Sequence, residues 1–208
     1  MRPIALPLCL ALMFPAGFLG AAETPAPAAP SSDPTQVRAG AYVLDPAHGK
    51  ITWSISHLGF STYYGQITDV NAQAVLDPKD PAKSRLTVTI GTDRINGLND
   101  KLNHHLKTPD FFDTAKFPKA TFTATSIEPT SPTTARVNGD LTLKGVTKPV
   151  AFDATFNQAG INPVNKAYTV GFDGRTVIRR SDFGISAFLP VLGDEVSLRL
   201  EGEFKAVE

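Results

Sequence analysis

Residues 137–156 read VNGDLTLKGVTKPVAFDATF, in which two runs of alternating apolar and polar residues flank a short turn. Val137 to Leu143 and Val150 to Phe156 each place an apolar or small residue at every second position, which is the period of a half-buried β-strand. The intervening stretch from Lys144 to Pro149 is too short for a helical crossover, so the two strands must be antiparallel. The sequence therefore predicts a sheet built from hairpins.

The same alternation recurs on both sides of this hairpin, and it predicts about eight or nine strands in all. The further segments are 42–45, 51–55, 66–76, 86–90, 120–124, 168–172 and 196–204. Residues 54–65 are interpreted as a strand that ends in a bend at a barrel corner. Only residues 97–113 break the pattern, because leucines recur there every fourth position and a Thr-Pro-Asp sequence follows. This segment predicts one short helix and then a helical turn.

The domain is too large for one open sheet with a single covered face, so closure into a barrel is the expected solution. Small residues such as Ala120, Gly139 and Ala154 recur on the apolar faces of the strands, among 13 phenylalanines. An eight-stranded barrel can be filled by side chains or can hold one small ligand. The composition alone leaves both a lined cavity and a solid core open.

The first 39 residues are unlike the rest of the chain. Residues 1–22 contain one early cation, an apolar run and a small-residue end, which predicts a secretory signal peptide cleaved after Ala22. The apolar run is shorter than a membrane span requires and contains two prolines. Residues 23–39 predict a flexible tether rich in proline and alanine, and residues 40–208 form the folded domain. Cleavage would remove Cys9, the only cysteine, so the mature chain would have no disulfide.

Several classes of function find no support in the sequence. Lys plus Arg and Asp plus Glu are both 20, and without a basic run we expect no nucleic-acid partner. The four histidines lack the spacing of a metal site, so no metal is expected. Because no nucleophile elbow or phosphate-binding loop is present, we nominate no catalytic residue and no cofactor.

Seven short motifs occur in order between Ala41 and Phe204, and together they resemble the YceI-like family of periplasmic, lipocalin-like proteins that bind polyisoprenoid lipids. The motifs are YVLDP (42–46), SHLGF (56–60), LDP (76–78), the HL, DFFD and FP block (105–118), GDLTLKGVTKPV (139–150), RSDFGI (180–185) and GDEV (193–196). Each motif alone is weak evidence, but their order and spacing are specific.

The resemblance implies an all-β fold, namely an extended eight-stranded antiparallel barrel with one short helix and a helical turn near one end. It implies a periplasmic protein that binds, transports or stores a polyisoprenoid, such as an isoprenoid quinone, without catalysis. Transient contact with inner-membrane quinone enzymes would follow from a quinone ligand. Open strand edges would allow a homodimer, although no residue pattern requires one.

We expect the ligand to contact three groups of residues. The channel lining is expected to comprise Trp53, Ile55, Phe60, Phe122, Phe152, Phe156 and Phe172, and Tyr64 and Phe183 are further expected ligand contacts. Three phenylalanines of the helical segment, Phe111, Phe112 and Phe117, are expected to cover one end. Either His57, or Arg180 together with Asp182, is expected near a headgroup.

Two alternatives of other classes stay open. An enzyme acting on a lipid or quinone headgroup would use His57 or His105 as a general base. A filled barrel would instead bind another protein through an exposed apolar patch.

Overall fold

The fold in a computed structural model, which describes residues 29–207, consists of eleven β-strands, one α-helix and four short 3-10 helices. The strands are β1 (Gly40–Leu44), β2 (Lys50–His57), β3 (Ser61–Ile67), β4 (Val70–Leu76), β5 (Arg85–Gly91), β6 (Ile95–Asn96), β7 (Lys119–Pro129), β8 (Thr134–Leu143), β9 (Val146–Ile161), β10 (Tyr168–Arg179) and β11 (Leu192–Ala206). The helix is α1 (Asp100–Leu106), and the 3-10 helices are Pro34–Gln36, Pro81–Lys83, Thr92–Arg94 and Arg180–Phe183. The predicted signal peptide and residues 23–28 lie outside the described residues.

Eight strands close into an antiparallel barrel in the order β1-β4-β5-β7-β8-β9-β10-β11, and β11 pairs back onto β1. This confirms the predicted barrel. The last strand has two partners along the same edge, because its first part pairs with β2 and its end pairs with β1. Strands β2, β3 and β6 therefore extend the wall beyond the short β1.

The turn between β8 and β9 takes the form that its sequence predicts. Lys144 and Gly145 have φ values of 50° and 78°, and Leu143 pairs with Val146 across them. Positive φ at both central residues is the geometry that matches the right-handed twist of a hairpin, and glycine adopts it without strain.

Residues 54–65 form a second hairpin instead of a strand ending in a bend. β2 continues to His57, Leu58 and Gly59 turn with positive φ, and β3 returns from Ser61. Most β3 side chains are exposed or half-buried, so this strand lacks the clear apolar alternation that marks the others.

The helix lies at one end of the barrel. Asn99 caps α1, since its side chain accepts a hydrogen bond from the Leu102 N–H at 3.0 Å. The predicted helical turn follows, with the Phe111 N–H donating to the Thr108 carbonyl at 3.0 Å. The Lys144 Nζ donates to the Pro109 carbonyl at 2.8 Å, which joins this segment to the β8–β9 hairpin. We call this region the helix end and the opposite end the mouth.

The described part of the predicted tether, residues 29–39, lies against the barrel. Ser31 and Ala159 exchange two backbone hydrogen bonds of 2.8 Å. The Tyr168 hydroxyl donates to the Gln36 carbonyl at 3.1 Å, and the Arg38 guanidinium stacks over the Tyr168 ring at 4.2 Å. Proline prevents regular strand pairing here, but the tyrosine supplies polar and aromatic contacts that hold the segment in place.

Asp45 stabilises the closure between β1 and β11. Its N–H donates to the Glu203 carbonyl at 2.8 Å. Its carboxylate lies 2.8 Å from the Lys205 Nζ and 2.9 Å from the His48 Nδ1. Hydrogen bonds from Lys205, and then from His48, lower the pKa of Asp45 from 3.8 to about 2.

We expect the Asp45→Asn variant to lose stability that depends on pH. Because the folded-state pKa is depressed, the carboxylate stabilises the fold fully above about pH 4, and this contribution disappears as the pH falls towards 2. Urea denaturation should show a loss of about 1 to 2 kcal/mol near neutral pH that shrinks on acidification. A loss that is constant down to about pH 2 would contradict the ion pairs as its cause.

Candidate functional site

A cavity of about 320 Å³ lies inside the barrel. Its walls are the inward-facing side chains of the alternating strands, with aliphatic residues from β4 and β5 on one side. Aromatic residues face them from the other strands, and these are Phe122, Phe152, Phe156, Phe172 and Phe204. The volume falls at the lower end of the range for small-molecule pockets, about 300 to 1,000 Å³.

The phenylalanines pack against each other in two groups. The Phe122 and Phe152 ring centroids are 5.6 Å apart. Phe172 contacts both Phe156 and Phe204 edge-on, at centroid distances of 5.8 and 6.1 Å. These are the favourable edge and tilted geometries, so the aromatic wall is held in place by its own contacts and offers ring faces and edges to an apolar ligand.

Three small residues lie side by side in the cavity wall. Ala154 on β9 lies directly opposite Ala135 on β8 and Gly174 on β10, and all three line the cavity. Larger side chains at these positions would occupy the interior, because alternation directs them inward.

The mouth of the cavity is lined by proline-containing loops. Pro78 and Pro81 come from the β4–β5 connection, and Pro129 and Pro132 come from the end of β7 and the β7–β8 turn. Pro34 and Val37 of the N-terminal segment also line it. Since Pro132 and its neighbours are exposed, the cavity reaches solvent at this end.

The helix end is filled. Trp53, Ile55, Leu106, Phe111 and Phe183 are all buried there, and we call these five residues the helix-end cluster; their packing continues along the barrel to Phe122 in the cavity wall. Trp53 also stacks on Tyr63 at a centroid distance of 6.2 Å. The barrel is therefore packed near the helix and hollow towards the mouth.

The predicted contact residues separate into these regions. Phe122, Phe152, Phe156 and Phe172 line the cavity. Trp53, Ile55, Phe111 and Phe183 belong to the helix-end cluster, and Phe112 packs against it. Phe117 is half-buried next to the turn at Gly145.

Three predicted residues lie on the β2–β3 hairpin, at its surface. Phe60 is 90% exposed, Tyr64 is 58% exposed, and His57 is exposed. The hairpin turn carries Phe60 beyond the paired strands, whereas Tyr64 lies within β3 on its exposed face and His57 lies at the end of β2. These side chains are not brought to the cavity.

Arg180 is buried, and its guanidinium donates to four backbone carbonyls. The acceptors are Gly193 at 2.7 Å, Ala187 at 2.9 Å, Ile185 at 3.0 Å and Leu192 at 3.1 Å. Burial lowers the pKa of Arg180, and the negative charge of Asp194 acts in the opposite direction. This side chain therefore organises the 180–193 loop from within.

The acidic partner in this loop is Asp194. Its carboxylate accepts from the Ser181 N–H at 2.9 Å and the Ser181 hydroxyl at 2.8 Å. Burial raises the pKa of Asp194, but these hydrogen bonds outweigh burial and leave it below its usual value. Asp182 is exposed. The two motifs at 180–185 and 193–196 meet instead through the hydrogen bonds between Ser181 and Asp194.

Histidines do not converge anywhere in the described chain. The His105 Nε2 lies 2.9 Å from the Asp110 Oδ2, and His57 packs against Tyr63. Within residues 29–207, no group of three or more His, Cys, Asp and Glu side chains could hold a metal ion. The same residues contain no helix with the length and apolar character of a membrane span.

The sequence reading missed part of the cavity wall. The aliphatic residues Val70, Ala72 and Ala74 alternate on β4, and this signal was available in the sequence. The contribution of Pro34 and Val37 carried no such signal, because a proline-rich segment has no strand period that predicts where it docks.

Comparison with known proteins gives consistent results. A family model described as YceI-like domain matches residues 42–204. A UPF0312 protein of Shewanella oneidensis is 36% identical over 169 residues, which cover 80% of this chain and 88% of that protein.

Solved structures show the same architecture. BcnA of Burkholderia cenocepacia matches with a TM-score of 0.70 and 26% identity, over 79% of this chain and 99% of that one. A polyisoprenoid binding domain from Saccharophagus degradans, implicated in plant cell wall breakdown, matches with a TM-score of 0.57. It is 14% identical over 82% of this chain and 100% of that one, which is a likeness of fold.

Proposed function

Because the chain belongs to the YceI-like family, we propose that it binds a polyisoprenoid, or a similar long-chain lipid, in the cavity of its barrel. The observation that carries this proposal is the cavity of about 320 Å³ with its walls of phenylalanine and aliphatic side chains. The fold shared with a polyisoprenoid binding domain supports it.

The energetics favour a prenyl chain as the occupant. Burial of each five-carbon unit contributes about 4 kcal/mol before the cost of ordering the chain. Three or four units are enough for tight binding, and affinity saturates beyond that. The cavity should therefore discriminate chains by length and shape. Phe122, Phe152, Phe156 and Phe172 are the residues that we propose to contact the chain.

A binding role is favoured over catalysis on this geometry. Neither His57 nor His105 is among the residues that line the cavity in the described chain. A filled barrel is the remaining alternative, and the cavity is the feature that distinguishes the binding role from it.

The cellular role follows from the N-terminal sequence and the ligand. We propose that residues 1–22 direct the chain to the periplasm, where the barrel carries or stores its lipid. An isoprenoid quinone is one such lipid, and transient contact with quinone enzymes of the inner membrane would then load or unload it.

Native mass spectrometry of the purified protein, followed by organic extraction, tests the proposal. We expect a near-stoichiometric adduct that extraction releases as a prenyl lipid. Protein isolated empty should take up an added polyprenyl quinone, because the cavity is lined by hydrocarbon. An empty protein that also takes up no polyprenyl quinone would overturn the proposal and favour a protein-binding module.

A further inference from the structure

The barrel wall has a gap between β9 and β10. Their ladder runs from Tyr168 and Ile161 to Arg175 and Asp153, where it stops. Beyond this point, residues 146–152 of β9 pair with β8, and residues 176–179 of β10 pair with β11. Two strands that are neighbours at the mouth are thus separated towards the helix end.

The local sequence maintains this gap. The Thr176 hydroxyl donates to the Ala151 carbonyl at 2.7 Å, so a side chain satisfies a backbone group at the point where the ladder stops. Pro149 follows in the separated stretch of β9, and proline has no N–H to donate to a neighbouring strand. The Arg180–Phe183 turn lies beyond the end of β10 and places Phe183 at the gap.

A groove of about 640 Å³ covers the gap from outside. Val150, Ile178 and Phe183 contribute apolar side chains to it. Val150, Thr176 and Leu198 line both this groove and the inner cavity. The two spaces are therefore separated at the gap by a single layer of shared residues.

The outer rim of the groove is cationic. It carries Arg136, Lys148, Arg175, Arg179 and Arg199, against Asp153 and Asp182. The Arg136 Nη1 lies 2.8 Å from the Asp153 Oδ1, and Arg179 reaches Glu195 only at 4.0 Å.

The two central arginines of the rim have no close carboxylate partner among the described residues. Arg175 and Arg199 lie directly opposite each other on β10 and β11, and both are exposed. Among residues 29–207, neither has a carboxylate oxygen within 4.0 Å, although Asp153, already bound by Arg136, lies opposite Arg175 on β9. Like charges opposite each other destabilise a sheet, and an anion between them would relieve the repulsion.

We propose that this groove binds the phosphate or diphosphate headgroup of a prenyl lipid whose chain passes through the β9–β10 gap into the cavity. The inference rests on the proposed function and names the headgroup chemistry. Guanidinium groups match phosphate oxygens in paired, charge-assisted hydrogen bonds, and Arg175 and Arg199 present two of them side by side. Val150 and Leu198 then lie along the first part of the chain.

Three probes test the headgroup by isothermal titration calorimetry: farnesyl diphosphate, farnesol and inorganic diphosphate. The first two share a chain, and the first and third share a charged group. We expect farnesyl diphosphate to bind at least tenfold more tightly than either of the others. In the Arg175→Gln/Arg199→Gln double variant, its affinity should fall about tenfold to a hundredfold, while that of farnesol stays unchanged.

A matched variant separates this effect from a general loss of positive charge. Arg94→Gln removes an exposed arginine that does not line the groove, and its affinities should equal those of the wild type. Because both arginines are exposed and their mutual repulsion is removed, the double variant should unfold at the wild-type urea concentration or slightly above it.

The remaining outcomes distinguish failure of the proposed headgroup site from failure of the proposed lipid-binding function. Equal affinity for farnesyl diphosphate and farnesol, unaffected by the double variant, would overturn the headgroup site and leave lipid binding intact. Inorganic diphosphate binding as tightly as farnesyl diphosphate would identify a site for free anions and overturn the lipid source. Failure of both prenyl probes and of a longer polyprenyl quinone would overturn the proposed function itself.

Discussion

The Ala154→Trp variant is expected to bind prenyl lipids at least a hundredfold more weakly than the wild type while retaining the barrel. Ala154 lines the cavity between Ala135 and Gly174, so an indole at this position is directed into the interior. Occupying that space excludes at least one five-carbon unit, which contributes about 4 kcal/mol, or more than two orders of magnitude in affinity. Titration with a polyprenyl quinone, and native mass spectrometry of the purified variant, measure the loss.

The neighbouring residue supplies the control. Thr155 is exposed on the outer face of the same strand, so Thr155→Trp adds the same group without entering the cavity. Its affinity should remain at the wild-type value. Overpacking costs about 1 to 3 kcal/mol, and the smaller Ala154→Leu change provides a graded variant if the indole prevents folding. Undiminished binding by a folded Ala154→Trp protein would show that the chain does not lie in this part of the barrel.

Replacing Arg180 by alanine should destabilise the fold by about 3 to 4 kcal/mol. The change leaves the carbonyls of Ile185, Ala187, Leu192 and Gly193 without their donor, in a loop that the side chain now holds from inside. A buried carbonyl that loses a charged hydrogen-bond partner lowers the free energy of unfolding by its full desolvation penalty. Urea denaturation measures this difference in the free energy of unfolding.

Arg179→Ala is the matched control for Arg180, because it removes the same side chain from an exposed neighbouring position. Its effect should stay within about 0.5 kcal/mol. Arg180→Lys should be intermediate, since an ammonium cannot reproduce the fork of donors. If Arg180→Ala retained wild-type stability and instead lost prenyl-lipid binding, the residue would contact ligand, as the sequence suggested.

Much of the barrel could be predicted from side-chain alternation. The hairpin of β8 and β9 shows a period of two on both strands and a turn sequence that allows positive φ, so its local signals agree. Strand β3 could not be recognised in this way, because its glycine, half-buried Tyr63 and exposed Tyr64 give no clear apolar alternation. The position of β3 is set by its pairing with β2, and this contact cannot be read from the local sequence of β3.

The candidate site was harder to predict than the fold. The sequence pointed to phenylalanines, and Phe122, Phe152, Phe156 and Phe172 do line the cavity. It could not distinguish these from Phe60, because the distinction depends on whether a layer covers the residue. The gap beside Pro149 could not be predicted either, because the end of the β9–β10 ladder leaves the side-chain alternation of both strands unchanged.

The seam between β1 and β11 has a consequence for the order in which the barrel can fold. Tyr42 near the start of the domain pairs with Ala206 near its end, so the chain cannot complete the ring until its last strand is available. Until then, β1 and β10 lack their partner in β11, and unpaired strand edges of this kind recruit other chains. Contacts between distant parts of a sequence also form slowly. The interval between formation of the earlier strands and docking of β11 is therefore when this chain is most exposed to aggregation, and when a holding chaperone would protect it most.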